Sequence, residues 1–242
     1  MKKIILIFIF LATFFSCKKE NNCFINGGDI VTKTFNLNSF SGVEINDFMN
    51  FNWKNSPEFK VEIEGGENFV SGISNTITES TLIFNNDNGC KLLRRNVDEI
   101  TITVFCPSLN TLTLKGSGRI IFIDTLKNDL TINCIANQGS MNLLIDNNYT
   151  KFYLESGSTD INIKGSTRYC DYYNSGVNHF YAKTFDTDSF RCHSRSKGIT
   201  EIKANSWLHI EQNGDSDINY WGNPSTIDVA SYLGNGSIIN RN

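Results

Sequence analysis

A short glycine- and serine-bearing turn recurs through the second half of the chain, and nothing else in the sequence limits the possible folds as strongly. Its copies read Gly116-Ser117-Gly118-Arg119-Ile120, Gly139-Ser140-Met141-Asn142-Leu143, Gly157-Ser158-Thr159-Asp160-Ile161, Gly176-Val177-Asn178-His179-Phe180, Arg195-Ser196-Lys197-Gly198-Ile199, Gly214-Asp215-Ser216-Asp217-Ile218 and Gly234-Asn235-Gly236-Ser237-Ile238. Their first residues lie 23, 18, 19, 19, 19 and 20 positions apart. A near-constant period of this size is the signature of a stacked repeat.

Between the turns lie short segments such as Lys151–Glu155, Asp160–Lys164, Arg168–Tyr173 and Asn178–Ala182. They alternate apolar with polar residues and are rich in β-branched and aromatic side chains, the pattern of strands with one buried face. Such a period leaves no room for a helical crossover between parallel strands. Each period must therefore be one coil of strands stacked on the next, which predicts an all-β, single-stranded parallel β-helix with coils of about 19 residues, regular over 111–240. Counting four places from each turn gives one expected inward column: Ile120, Leu143, Ile161, Phe180, Ile199, Ile218 and Ile238. Two places further, Phe122, Ile145, Ile163, Ala182, Glu201, Tyr220 and Asn240 continue it and become polar late. Glu201 breaks the pattern, and Ile202 beside it predicts a bulge or a one-residue slip in that coil.

The N-terminus has another character. Met1-Lys2-Lys3 precedes an apolar run, Ile4 to Phe15, that is too short to span a membrane and has the layout of an export signal over 1–16. Ser16 directly before Cys17 resembles a bacterial lipobox, which implies that Cys17 becomes an acylated N-terminus. The residues alone also fit a plain export signal with an incidental cysteine. Residues 17–30 are mostly polar and read as a tether. Lys18 and Lys19 leave no acidic run after Cys17, so the side of the membrane the protein faces stays open.

From 31 to 106 the reading is again strand after strand: Thr32–Leu37, Gly42–Asn46, Asn50–Trp53, Phe59–Glu64, Thr81–Asn85 and Glu99–Phe105, with a short helix expected within Glu67–Ile77. No composition shift separates this part from the repeats, so 31–242 reads as one domain whose N-terminal part forms irregular first coils or a cap. A bare end coil would expose an unpaired strand edge. With 22 basic and 25 acidic side chains, the chain lacks the basic stripe that a nucleic-acid partner requires.

Besides Cys17, six cysteines remain: Cys23, Cys90, Cys106, Cys134, Cys170 and Cys192. In an exported chain they permit disulfides, and the fifteen possible pairings cannot be ranked from spacing. The alternative is that several are small apolar residues of the core. Without a Cys-x-x-Cys pair, and with His179, His193 and His209 at different phases of the repeat, no metal site and no cofactor is expected.

Several short motifs in a fixed order carry a family resemblance: Phe40–Ile45, Val61–Gly65, Thr81–Phe84, Ile100–Leu109, Lys115–Gly118, Tyr220–Pro224 and the last turn, Gly234–Ile238. Over roughly residues 40 to 240 the chain resembles the DUF2807 family of adhesin-like proteins with a head GIN domain. The resemblance implies a right-handed parallel β-helix in a bacterial envelope protein, often a lipoprotein of Bacteroidetes, with no established enzymatic activity.

Three residues are the candidate kernel of a site. Asp160, His179 and Asp217 share the phase before the inward apolar residue, so stacking at about 4.8 Å would align them in an outward column interrupted by Gly198. A carbohydrate-active enzyme on this fold would use such a ladder, but it also needs carboxylates held in a cleft, and coils this short leave little chain for cleft walls. Trp53, Trp207, Trp221, Tyr172, Tyr173, Tyr181 and Tyr220 could stack on sugar or, more simply, on one another between coils. The expectation is a non-catalytic, lipid-anchored outer-membrane protein that presents a rigid surface to a glycan or protein ligand. The alternatives are a carbohydrate-binding or carbohydrate-active β-helix and a periplasmic structural component.

Overall fold

The computed structural model describes residues 26–89 and 99–242. Residues 1–16, read as an export signal, Cys17, most of the segment read as a tether, Cys23 and Cys90 lie outside the described residues. The chain winds into a β-solenoid of about six turns with two main strand-bearing faces, its strands numbered here in chain order.

Along the solenoid axis the first face runs β1 (Ile30–Asn36), β4 (Lys60–Gly66), β7 (Thr101–Cys106), β3 (Asn50–Asn55) and β9 (Ser117–Phe122), then the leading halves of β11 (Asn137–Leu154) and β12 (Gly157–Asn174), and finally β13 (His179–Tyr181), β15 (Thr200–Lys203), β17 (Ile218–Trp221) and β19 (Ile238–Asn240). The second face runs β5 (Ile73–Thr78), β6 (Thr81–Asn86), β2 (Gly42–Asn46), β8 (Thr111–Lys115) and β10 (Leu130–Cys134), the trailing halves of β11 and β12, and then β14 (Phe185–Ser194), β16 (Trp207–Gln212) and β18 (Thr226–Tyr232). β11 and β12 pass from one face to the other at Ile145 and Gly165, which are paired across the bend.

Irregular coils and a cap are both present at the N-terminal end. The β2–β3 coil is inserted between β6–β7 and β8–β9, so stacking in chain order starts only at β8. Beyond β6–β7 the pairing turns antiparallel, with β4 on β7, β1 on β4 and β5 on β6. The segment Glu67–Ile77 departs from the expected helix: only Glu67–Val70 is helical (α1), and Ile73–Thr78 is β5. Strand β6 offers β5 a free edge, and an edge so close in sequence outweighs weak helical propensity. Residues 26–29, read as the end of the tether, bond to α1 through Asn68 N–H to Gly27 O and Glu67 N–H to Asp29 O.

The core is the set of inward columns. On the second face Thr150, Cys170, Phe190 and Leu208 are in register, as are Ile132, Phe152, Tyr172, Cys192 and Ile210, all buried. Each fully buried large apolar side chain contributes roughly 1.5–3 kcal/mol. Cys106, Cys134, Cys170 and Cys192 are free thiols in this core, so these four act as small apolar residues and form no bridges. Burial pushes the Cys134, Cys170 and Cys192 thiols well above the usual range, which keeps them protonated.

On the first face the columns differ from the expected count in two coils. In register with Ile120 stand Met141, Ile161, Phe180, Thr200, Ile218 and Ile238, so steps of 21, 20, 19, 20, 18 and 20 residues separate equivalent positions. Leu143 therefore pairs with Ile163 instead of Ile161, and Ile145 with Gly165. In the Arg195 coil the slip foreseen from Glu201 is real: Ile199 points outward and is 43% exposed, while Thr200 and Ile202 fill the core. The turn position read as Arg195 is held by Ser196, whose hydroxyl donates to Gly176 O, and Arg195 is exposed.

Where the second face turns back to the first, the column turns polar because the turn needs partners for its backbone. Asn174 Oδ1 accepts from Gly176 N–H at 3.1 Å and from Asn178 Nδ2 at 3.0 Å, and Asn178 Oδ1 accepts from Thr159 N–H at 3.0 Å. Such satisfied buried networks fix one register in place of several. At the C-terminal end β18 and β19 each have one unpaired edge among the described residues, and Ile227, Val229, Tyr232 and Leu233 are exposed there.

Candidate functional site

Asp160, His179 and Asp217 stand at one phase of the first face, on β12, at the start of β13 and just before β17. Asp160 pairs with His179, and Ile199 in place of Gly198 separates His179 from Asp217. Two of the three side chains serve the neighbouring coil's backbone. His179 Nδ1 accepts from Ile199 N–H at 2.9 Å, which leaves the ring proton on Nε2, and Asp217 Oδ1 accepts from Ser237 N–H at 2.8 Å. Asn50 does the same for Arg119 N–H at 2.9 Å. At this phase a polar side chain secures the start of the next strand, and two of the ladder's groups are already engaged in doing so.

A denser constellation lies outward on the second face, built by β11, β12, β14, β16 and β18. Strand alternation and parallel register set out three columns: Tyr149, Tyr169, Ser189 and Trp207; Lys151, Asp171, Arg191, His209 and Asp228; and Tyr153, Tyr173, His193 and Glu211. His193 and His209, out of phase when counted from the turns, thus belong to adjacent columns of one surface. Tyr149, Tyr169 and the row of charges were missed because positions were counted from the glycine turn; aligning the second strand of each coil places Tyr149, Tyr169, Ser189 and Trp207 in one line.

The aromatic rings of this face stack along the axis. Tyr149 and Tyr169 lie 5.9 Å apart with a 10° interplanar angle, and Tyr153 and Tyr173 lie 4.9 Å apart at 12°. Trp207 leans across the gap above Ser189 to within 6.3 Å of Tyr169 and stacks on His209 at 5.5 Å. Rings stacked this way cover one another's faces and turn their edges and hydroxyls to solvent. Burial, and then the nearby Asp171 carboxylate, push the Tyr149 and Tyr169 phenols above their usual range, so both remain hydroxyl donors.

Charges between the columns are cross-linked. Arg191 meets Glu211 at 3.4 Å; Glu211 also meets His193 Nδ1 at 3.3 Å and His209 Nε2 at 3.4 Å; and His209 Nδ1 meets Asp228 at 2.8 Å. Isolated surface pairs contribute about 0–1 kcal/mol, so this network serves more to hold side-chain positions than to stabilise the fold. Burial holds the His193 imidazole below its usual 6.5; Glu211 pulls the other way, and Arg195 and Arg191 add to the depression. The depression favours the neutral imidazole beside Glu211. For Glu211, burial by itself would raise the carboxyl pKa, but the His209 hydrogen bond, the charge on His193 and Arg191 together hold it below 4.5.

Both depressed values have the same sign for stability. Each group contributes above its unfolded pKa, and that contribution is lost as pH falls through the folded one. Urea midpoints should fall as pH drops below 6.5 and again below 4.5, and Glu211→Gln should remove the second decline. A midpoint unchanged between those two values would contradict the depression of His193.

The remaining candidate aromatics divide cleanly. Trp53, Tyr172 and Tyr220 are core residues, and Tyr181 stacks on His179 at 6.1 Å. Trp221 is half-buried on the outward side of β17, and no other ring of the described residues stacks on it. A cavity of about 290 Å³ lies beside Phe48, Asn50, Phe69, Glu99 and Gln138. Gly89 also lines it. Among the described residues, no helix is long and apolar enough to cross a membrane.

Similar folds occur among solved structures. A putative adhesin from Bacteroides fragilis NCTC 9343 is 20% identical, with a TM-score of 0.76 over 90% of this chain and 100% of its own. A putative adhesin from Parabacteroides distasonis ATCC 8503 is 16% identical, with a TM-score of 0.62 over 90% of this chain and 99% of its own. A structure from the same organism described as a putative lipid binding protein is 18% identical, with a TM-score of 0.62 over 90% of this chain and 98% of its own. At these identities the likeness concerns the fold. No curated protein matches the chain. The family model described as "Putative auto-transporter adhesin, head GIN domain" matches residues 39–224, and the chain belongs to that family, DUF2807.

Proposed function

We propose that this is a non-catalytic, adhesin-like envelope protein, tethered by an acylated Cys17 to the bacterial outer membrane, that binds a protein ligand through the second face of its solenoid. The observation that carries the reading is the grid of Tyr149, Tyr153, Tyr169, Tyr173, Arg191, His193, Trp207 and His209. Tyrosine, tryptophan and arginine are the residue types that dominate binding energy at protein interfaces. Here ring stacking and ion pairs hold them in place, so docking costs little side-chain ordering. Covered ring faces and exposed hydroxyl edges suit a flat protein partner better than a sugar, which needs an open aromatic face.

Protease shaving of intact cells tests the location, with Cys17→Ala as the lipidation control. External cleavage of a membrane-bound wild type is expected. Protection until the outer membrane is opened would overturn adhesion and favour a periplasmic role. Cells carrying Tyr173→Ser with Arg191→Ser should bind immobilised extracellular proteins about tenfold or more weakly than wild type. Unchanged binding would remove the grid from the reading.

A further inference from the structure

On the opposite face, β15, β17 and β19 enclose an open groove of about 420 Å³ lined by Lys197, Ile199, Glu201, Asn219, Trp221 and Arg241, among others. It differs from the tyrosine grid in the feature that decides what it can hold. Trp221 is flanked in register by Lys203, and the chain neighbour of β19 beside it is Arg241, so no ring of the adjoining coils covers it. Glu201, one coil back, pairs with Asn219, which places its carboxylate diagonally across from Trp221, at about 7–8 Å for such neighbours. Among the described residues Glu201 has no ion pair and no hydrogen bond to its side chain. Asn219 Oδ1 accepts from Arg241 Nε at 2.7 Å, which leaves the Asn219 amide hydrogens and the Arg241 terminal nitrogens outside that bond, on two residues that line the groove.

The local irregularity of the solenoid builds this site. In the coil that slips by one residue, a threonine replaces an aliphatic residue inside, and Ile199 and Glu201 turn outward to become groove wall. A departure from the repeat that weakens the core and furnishes a groove is the kind of exception expected where function overrides packing.

We propose that this groove is a saccharide-binding site. A pyranose ring lies against Trp221, its hydroxyls donate to the Glu201 carboxylate, and its ring and hydroxyl oxygens accept from Asn219 and Arg241. The chemistry matches: an indole in the groove wall on which no other ring of the described residues stacks, one acceptor-only carboxylate, and donors from Asn219 and Arg241. This site is independent of the protein-binding grid, and neither depends on the other.

The test is an oligosaccharide array probed with the purified soluble domain, followed by titration of the hits while the indole N–H resonances of Trp53, Trp207 and Trp221 are observed. A hit should shift the Trp221 signal and leave that of buried Trp53 in place. Trp221→Ala should weaken binding about tenfold or more, Glu201→Gln should weaken it without change in fold, and Tyr173→Ser on the other face should leave it unaltered. An array with no binder at millimolar sugar, or a hit whose affinity is unchanged by both Glu201→Gln and Trp221→Ala, overturns the proposal. Because Glu201 is outward and unpaired, its variant remains informative if Trp221→Ala loosens the last coil.

Discussion

Replacement of Gly157 by valine is expected to abolish stable folding, with a loss above about 4 kcal/mol, beyond the ordinary range for one substitution. Gly157 has a φ of +119°, which side-chain-bearing residues avoid, and an added Cβ would overlap the carbonyl oxygen of Asn137 in the coil below. The strain alone is worth about 1–3 kcal/mol. Relieving the overlap would push two coils apart at the centre of the stack, breaking the ladder between β11 and β12. Because each coil is held mainly by its neighbours, the damage would spread in both directions. Circular dichroism and a urea titration would detect it; a variant with a wild-type midpoint would show that the coils tolerate wider spacing. Val177, whose N–H bonds to Gly157 O, stands beside the position with an ordinary side chain, and its substitution by alanine should change the midpoint little.

Removing the ring of Phe180 should cost about 3–5 kcal/mol and lower the melting temperature by about 6–20 °C. This residue is where the inner surfaces of the two faces meet: its ring lies 5.0 Å from Phe152, 4.4 Å from Tyr172 and 6.4 Å from Phe190. All four rings are fully buried, so the cavity left by Phe180→Ala has rigid walls and cannot close without displacing the Tyr172–Asn174 hydrogen bond. Phe180→Leu, which keeps most of the volume, should recover more than half of the loss. Thermal denaturation of the two variants decides the matter. Equal losses would mean that the coil collapses around the site and that ring packing contributes little.

The contrast between the two candidate surfaces rests on ring geometry. Tyr153 and Tyr173 cover each other at 4.9 Å, whereas Trp221 has no ring neighbour among the described residues. Both surfaces carry aromatic, acidic and basic side chains, and a composition count would not separate them. Ring stacking does: rings that cover one another and present edges and hydroxyls suit a protein, and an indole on which no other ring stacks suits a sugar.

Much of the fold was legible in the chain itself. Recurrent turns near every twentieth residue, joined by segments too short for a helix, leave stacked parallel coils as the solution. Alternation likewise placed Ile161, Phe180 and Ile218 inside, since burial of one face imposes period two. Glu201 even announced the slipped coil. Tertiary structure decided the rest. Steps between equivalent residues vary from 18 to 21, and turns such as 116–118 carry more than one glycine, so counting alone could not choose between Met141 and Leu143 or between Ile199 and Thr200. Insertion of β2–β3 between β6–β7 and β8–β9 depends on contacts distant in sequence, for which local pattern holds no signal. The sites were least legible for a related reason. Outward positions are not constrained by burial, so adjacent Tyr172 and Tyr173 look alike in sequence while one lies in the core and the other on the surface. Periodicity determines that a chain like this forms a solenoid; the register of each coil on the next determines which side chains meet.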